Sequence, residues 1–183
     1  MVRLQPRSSS SGEKQPQLTR PIALSPEDWQ LILRSIHVQR QDQMFLFFST
    51  KGPVEPAFTD DEIDYLIAKV SRVFTTAQPD ERVVFALSRY ATPDVTEITS
   101  GGWFVSRQSL HVVFANYRFA ITMPTVRELL WQDPMWTQSG PSYDLVPVDH
   151  QEVVREEGSP HLTPHSPSNT KSCWWQSRCP PRL

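Results

Sequence analysis

The sequence has little of several residue types and patterns that mark particular protein classes. Two cysteines among 183 residues exclude a disulfide scaffold. Six glycines occur without a Gly-x-Gly-x-x-Gly or Walker pattern, which excludes the common phosphate-binding loops. The longest apolar runs, at 44–48 and 83–87, are five residues long, whereas a membrane-spanning helix needs roughly 20. The first 17 residues contain no apolar stretch of the kind found in secretory signals.

Neither sign of charge is in strong excess. The chain has 18 Lys and Arg against 20 Asp and Glu, a formal net charge of −2. Because nucleic-acid-binding domains are usually strongly basic, we expect no nucleic-acid partner. The charge is unevenly spread, since 1–20 and 158–183 each carry +3 and 21–157 carries −8. Both basic ends are polar, rich in Ser or Pro, and are predicted to be disordered tails on a single domain at 21–157.

Two segments carry the signals of capped amphipathic helices. Ser25 precedes Pro26 and two acids, which fits an N-cap followed by a first helical turn. Thr59 and Glu62 have the spacing of a capping box. Each start is followed by apolar residues at helical spacing: Trp29, Ile32, Leu33 and Ile36 in the first segment, and Ile63, Leu66, Ile67, Val70 and Phe74 in the second.

A third, shorter helix is predicted after the strand region. It would begin at Pro124 and run through Trp131, with Thr125 and Glu128 as its capping box. The chain from there to residue 157 is predicted to be loop, with a strand near 145–148.

Strand-like segments fill the region between the helices. Residues 43–49 are rich in Phe and are predicted to form a strand that ends at the Lys51, Gly52 and Pro53 break. Three further strands are predicted at 81–89, 95–107 and 109–122. The short joints between these three favour an antiparallel meander, since parallel strands need longer crossovers. The predicted fold is therefore α+β, an antiparallel meander sheet with two or three helices packed on one face.

The Ser100, Gly101 and Gly102 segment interrupts the second of these strands. Glycines inside a strand are typical of a bulge or a hairpin turn. The favoured interpretation is a bulge whose backbone needs a positive φ.

Aromatic residues make up 10% of the sequence, and three of them follow the strand region. Trp131, Trp136 and Tyr143 lie in a Pro-interrupted stretch. Exposed Trp and Tyr side chains commonly mark binding surfaces, so these three are the candidate binding residues. The alternative is that the stretch folds back over the sheet and covers the core.

Candidate catalytic and metal-binding residues are few. Asp60, Asp61, Glu62 and Asp64 form the most acidic point in the chain and could bind a divalent cation, although acids are also common in a first helical turn. His161 and His165 have a spacing that is acceptable for zinc, but Cys173 and Cys179 beyond them are too far apart for a usual zinc site. His37 and His111 are the only histidines of the predicted helix and strand region, and no Gly-x-Ser-x-Gly motif occurs. The sequence therefore predicts no catalytic residues, no metal site and no cofactor.

Four segments together resemble an uncharacterised family of small bacterial proteins, some of which are like envelope lipoproteins. They are GPVEPAF at 52–58, ERVVF at 81–85, EITSGGWF at 97–104 and RELLWQDP at 127–134. The resemblance covers roughly 24–157 and implies an envelope location, but no activity or site residue. The sequence lacks the apolar signal and the N-terminal cysteine of a lipoprotein, so either its start lies downstream of a signal or the protein stays inside the cell.

These observations predict a non-catalytic binding or structural domain, whose partner could be another protein. The alternative hypothesis is a small metal-assisted enzyme that uses the acidic cluster from Asp60 to Asp64.

Overall fold

The computed structural model describes residues 1–6, 24–44, 48–78, 80–106, 109–137, 142–149, 151–154 and 171–176. Three helices lie in these ranges: α1 (Pro26–Ser35), α2 (Asp60–Phe74) and α3 (Pro124–Gln132). Nine strands accompany them: β1 (Val2–Pro6), β2 (His37–Met44), β3 (Phe48–Pro56), β4 (Glu81–Thr92), β5 (Val95–Ser106), β6 (Ser109–Ile121), β7 (Ser142–Val146), β8 (Gln151–Val154) and β9 (Lys171–Gln176).

The strands form two sheets in which every described pairing is antiparallel. The larger sheet has the order β1-β4-β5-β6-β9-β8, and the smaller has the order β3-β2-β7. Strands β4, β5 and β6 are neighbours in both sequence and space, which confirms the predicted meander. The protein is therefore an α+β fold, as the sequence indicates.

Both predicted helix starts are confirmed. The Ser25 hydroxyl accepts a hydrogen bond from the Asp28 backbone, and the Asp28 carboxylate accepts one from the Ser25 backbone. Thr59 and Glu62 make the equivalent pair of bonds at the start of α2. Each reciprocal pair satisfies backbone N–H groups that the helix leaves without a partner.

Helices α1 and α2 cover one face of the larger sheet. Alternate residues of β4, such as Val83 and Phe85, join the helices in the main hydrophobic cluster. Trp103 of β5 stacks on Phe85 at a ring-centroid distance of 4.3 Å and meets Trp29 of α1 edge-on at 6.3 Å. This aromatic packing fixes the helices against the sheet.

Helix α3 lies against the other face of this sheet. Leu130 packs with Ile98 and Ile121 in a second cluster, separate from the main one. The segment after α3 continues over the same face, where the Asn116 side chain donates a 2.7 Å hydrogen bond to the Trp136 carbonyl. The sheet is therefore covered on both faces, two helices on one and α3 on the other.

The predicted capping box of α3 is wrong. The helix begins at Pro124, as predicted, but its N-cap is Met123 and no side chain caps it. Pro124 occupies the first turn, and its fixed φ and missing N–H suit that position without a capping side chain. Thr125 and Glu128 therefore lie inside the helix.

The Ser100 to Gly102 segment is a bulge rather than a hairpin turn. The pairing of β5 with β6 shifts register on both sides of Ser100 while the strand continues to Ser106. The predicted need for a positive φ is wrong, since Gly101 does not have one. Glycine is required at 101 because a Cβ there would lie 2.0 Å from the Val113 carbonyl oxygen.

The prediction of a strand ending at Lys51 to Pro53 is also wrong. Strand β3 runs through these residues to Pro56, and β2 begins already at His37. Strand β3 is at the edge of its sheet, where a proline can be accommodated because not every backbone N–H is needed for pairing. In the later region the predicted strand near 145–148 is β7, Ser142–Val146, and β8 follows it.

Two strands lie within the segments predicted to be disordered tails. Strand β1 pairs with β4, and its Val2 and Leu4 pack against the main cluster. Strand β9 pairs with both β6 and β8. The prediction of disorder is therefore wrong for 2–6 and 171–176, which form strands. The polar composition of the surrounding residues conceals these short segments from sequence reasoning. The remaining residues of the two predicted tails lie outside the described ranges, apart from Met1.

No described helix is both long enough and apolar enough to cross a membrane.

Candidate functional site: an arginine-lined cleft

A cavity of about 660 Å³ opens beside the first turn of α2. Its charged lining consists of Arg34, Arg40, Glu55, Asp60, Arg89 and Arg118. The remaining lining consists of Pro56, Phe58, Thr59, Ile63 and Tyr117. We call this cavity the arginine cleft. Its volume is in the range of sites that hold small molecules.

The charged residues come from six different elements. Arg34 is in the last turn of α1, Arg40 is in β2 and Glu55 is in β3. Asp60 begins α2, Arg89 is in β4 and Arg118 is in β6. The cleft therefore lies where the two sheets and two helices meet, and its shape depends on the whole fold.

Arg118 is the most deeply buried charged group of the cleft. It is 6% exposed, and its two Nη atoms donate to the two carboxylate oxygens of Glu62 at 3.2 Å. Its φ of 47° is in the left-handed region, which is unusual for a residue with a side chain. The Arg118 backbone N–H donates to the Thr99 hydroxyl at 3.3 Å. The Arg118 guanidinium group is therefore a fixed part of the cleft lining, with its charge paired to Glu62.

Tyr117 lies next to two of the arginines. The guanidinium carbons of Arg40 and Arg118 are 6.0 Å and 5.8 Å from the centre of its ring. Burial raises the pKa of the Tyr117 hydroxyl above its usual value, and the nearby Glu55 acts in the same direction. A hydrogen bond with Arg118 and the positive charges of Arg118 and Arg40 oppose the rise. The phenol is therefore neutral at pH 7 and keeps its proton as a hydrogen-bond donor.

Two further ion pairs border the cleft: Arg34 with Asp60 is exposed, whereas in Arg89 with Glu97 the carboxylate side chain is only 14% exposed. Arg34 contacts Asp60 at 2.9 Å, and Arg89 donates from Nε to Glu97 at 2.6 Å. Exposed pairs of this kind usually stabilise a fold by no more than about 1 kcal/mol. The Arg34–Asp60 pair therefore contributes little to the stability of the fold.

Arg40 and Glu55 differ from the other charged residues of the cleft. The only described hydrogen bond of the Arg40 side chain goes from Nη2 to the carbonyl oxygen of Arg118, at 3.2 Å. Within the described part of the chain, neither Arg40 nor Glu55 has an oppositely charged side chain within 4 Å. The cleft thus contains one cation and one anion whose charges no side chain among the described residues neutralises.

The three aromatic residues predicted to bind a partner do not form one surface. Tyr143 belongs to the main cluster, is 6% exposed and donates a 3.0 Å hydrogen bond to the Phe114 carbonyl. Trp131 and Trp136 are half-buried against the second cluster, on the other face of the sheet. Their packing agrees with a segment that covers the core, and a binding role for them stays a prediction.

The acidic cluster does not converge on one point. The Asp60 carboxylate pairs with Arg34, whereas the Glu62 carboxylate pairs with Arg118 and accepts a hydrogen bond from the Thr59 backbone N–H. Asp61 and Asp64 are exposed. No group of three or more His, Cys, Asp or Glu side chains in the described ranges could hold a metal ion. His161, His165 and Cys179 lie outside these ranges, and Cys173 is placed only as a position in β9.

The chemistry of the cleft suits recognition of a ligand. Its described lining supplies guanidinium, carboxylate and phenol groups but no His, Cys or Ser side chain. The only aliphatic hydroxyl group of the described lining, on Thr59, accepts the hydrogen bond from the Glu62 backbone N–H that caps α2. Sequence reasoning missed this site because its charged residues are scattered from 34 to 118 with no shared motif.

No known family, no curated protein and no solved structure matches the chain. The resemblance to small bacterial proteins therefore stays a prediction.

Proposed function

We propose that the protein is a non-catalytic binding domain that recognises an anionic group in the arginine cleft. The observation that carries the proposal is the presence of four guanidinium groups around one cavity, one of which, on Arg40, has no carboxylate partner among the described residues. Arginine is well suited to this task because its planar group can hold a carboxylate or phosphate through two parallel hydrogen bonds.

The proposal covers an anionic group of a small molecule as well as one of another protein, the class of partner that the sequence leaves open. Nucleic acid is not included, because among the described residues in or beside the cleft four carboxylates balance four arginines. A polyanion needs a surplus of positive charge along its path. An association with the bacterial cell envelope, which the family resemblance implies, is part of the proposal only through that resemblance.

The test is a calorimetric titration of the full chain with N-acetyl-L-phenylalanine, which has one carboxylate and an apolar body, and with phenyl phosphate. The neutral N-acetyl-L-phenylalaninamide is the control ligand. We expect at least one anion to bind and the neutral compound to bind about tenfold more weakly, a difference of about 1.4 kcal/mol.

Matched variants locate the binding site. Arg40→Gln should weaken anion binding about tenfold, because the removed charge would no longer pair with the ligand. Arg127→Gln removes the same group from an exposed position on α3 and should leave binding unchanged. Equal binding by all three proteins, or no binding of either anion, would show that the cleft is not an anion site.

A further inference from the structure

The two unneutralised charges of the arginine cleft have opposite signs. Arg40 and Glu55 both line the cavity, and the charge of each acts on the hydroxyl of Tyr117. They belong to the paired strands β2 and β3, where Glu55 pairs with Val38 and Arg40 lies at the register shift between Gln39 and Gln41. They do not pair with each other within 4 Å. The cavity therefore presents a cationic and an anionic group that are close to one phenol but separate.

The other charges of the cleft are already compensated. Arg34, Arg89 and Arg118 pair with Asp60, Glu97 and Glu62. With Arg40 and Glu55 included, the described residues in and beside the cavity carry equal numbers of positive and negative charges. A dianion such as a phosphate monoester would find only one unneutralised cation and would be repelled by Glu55. A ligand with one charge of each sign matches this arrangement better.

The cavity also offers apolar surface between the charged groups. Phe58 and Ile63 are buried side chains of the main cluster whose surfaces contribute to the lining, and Tyr117 adds an aromatic ring. A ligand that contacts them gains hydrophobic stabilisation in proportion to the area it buries. A volume of about 660 Å³ is sufficient for a molecule the size of one or two amino acids.

We infer that the arginine cleft binds a small zwitterion of the amino acid or dipeptide type. Arg40 holds its carboxylate, Glu55 holds its ammonium group, and Tyr117, Phe58 and Ile63 contact its apolar part. This inference rests on the proposed function and specifies its ligand class. The two ligand sizes share the same end groups and are distinguished by the probes below.

The experiment compares zwitterions with their singly charged derivatives on the full chain. The probes are L-phenylalanine and alanyl-phenylalanine, the N-acetylated form of each, which keeps only the negative charge, and the C-terminal amide of each, which keeps only the positive charge. Calorimetry at pH 7 gives the dissociation constants. We expect one zwitterion to bind about tenfold more tightly than either of its blocked forms.

Charge-removing variants connect this preference to the two residues. In Glu55→Gln the zwitterion should bind no more tightly than its acetylated form, and the acetylated form should bind more tightly than it does to the unchanged protein. Arg40→Gln should instead weaken the zwitterion and the acetylated form together. Glu128→Gln and Arg127→Gln on α3 are the matched controls and should preserve the original order. Thermal melting of each variant confirms that it is folded.

The possible failures are distinct. If the acetylated compounds bind as tightly as the zwitterions and Glu55→Gln changes nothing, the zwitterion inference is wrong, although an anion-binding cleft stands. If neither the zwitterions nor the acetylated forms bind, the inference is wrong, and if phenyl phosphate also fails to bind, the proposed function is wrong as well.

Discussion

Glu62 connects the start of α2 to the buried end of Arg118, 56 residues further along the chain. Its Oε2 atom accepts hydrogen bonds from both the Thr59 backbone N–H and the Arg118 guanidinium group. One carboxylate therefore stabilises a helix terminus and neutralises a charge inside the arginine cleft. The local signal of a capping box is visible in the sequence, but the second role depends on tertiary structure.

Replacing Glu62 should destabilise the fold strongly. Glu62→Ala leaves the buried Arg118 without its partner, and loss of one member of a buried pair costs about 3–5 kcal/mol. Because the Glu62 side chain is partly exposed, we expect a loss at the lower end, about 3 kcal/mol, in the free energy of unfolding measured with urea. Asp61→Ala is the control, since it removes an exposed acid from the same turn and should cost about 1 kcal/mol or less. Similar losses in the two variants would contradict the dual role of Glu62.

The bulge in β5 makes a second prediction about stability. Gly101→Ala would place a Cβ atom 2.0 Å from the backbone carbonyl oxygen of Val113, and neither strand can move without breaking the sheet. We expect a loss of about 3 kcal/mol or more in the free energy of unfolding. In Gly52→Ala the nearest atom would be at 3.4 Å, so the cost should be small. Circular-dichroism melts of both variants measure the difference, and equal melting temperatures would show that the strands can separate at Gly101.

The alternative of a metal-assisted enzyme has its own test. The acids from Asp60 to Asp64 are directed to different partners, so we expect no change of several degrees in melting temperature with Mg²⁺, Ca²⁺, Mn²⁺ or Zn²⁺. An ion present at 100 times its Kd would stabilise the protein by about 2.7 kcal/mol. A shift of that size that disappears in Asp61→Asn but persists in Asp94→Asn would support the metal hypothesis over the binding proposal.

The parts of the fold that could be predicted are those encoded by neighbouring residues. The caps at Ser25 and Thr59 and the apolar spacing behind them are local, and the structure confirms both helix starts. The meander of β4, β5 and β6 could be predicted because its joints are short. Strand β1 was missed because its two apolar residues gain burial only against β4, about 80 residues away.

The candidate site could not be predicted from the sequence, because its residues too come together only in the folded protein. Arg40 and Glu55 belong to no recognisable sequence motif. They lie in one cleft only because β2 pairs with β3 beside Tyr117. The aromatic residues singled out instead are mostly occupied by packing: Tyr143 hydrogen-bonds inside the main cluster, and Trp131 lies against the second. An excess of aromatic residues does not indicate which of them remain accessible.

Two buried tyrosines should make the stability of the protein fall at high pH. Burial raises the pKa of Tyr143 far above its usual value of about 10, and it raises that of Tyr117 as well. Above about pH 10 these hydroxyls ionise in the unfolded chain while they stay neutral in the folded protein. The unfolded state is then favoured, so the stability present below this pH is lost as the pH rises toward the folded-state pKa values.

Phenylalanine substitutions assign this loss to particular residues. In Tyr143→Phe and Tyr117→Phe the decrease in melting temperature between pH 9 and about pH 11 should be smaller than in the unchanged protein, because one ionising group is absent. Tyr143→Phe should also cost about 1 kcal/mol at pH 7 through its lost hydrogen bond to Phe114. Tyr90→Phe, at a position 78% exposed, is the matched control and should leave the pH dependence unchanged. If all three variants lost stability in parallel with the unchanged protein, burial of these phenols would not be the cause of the alkaline transition.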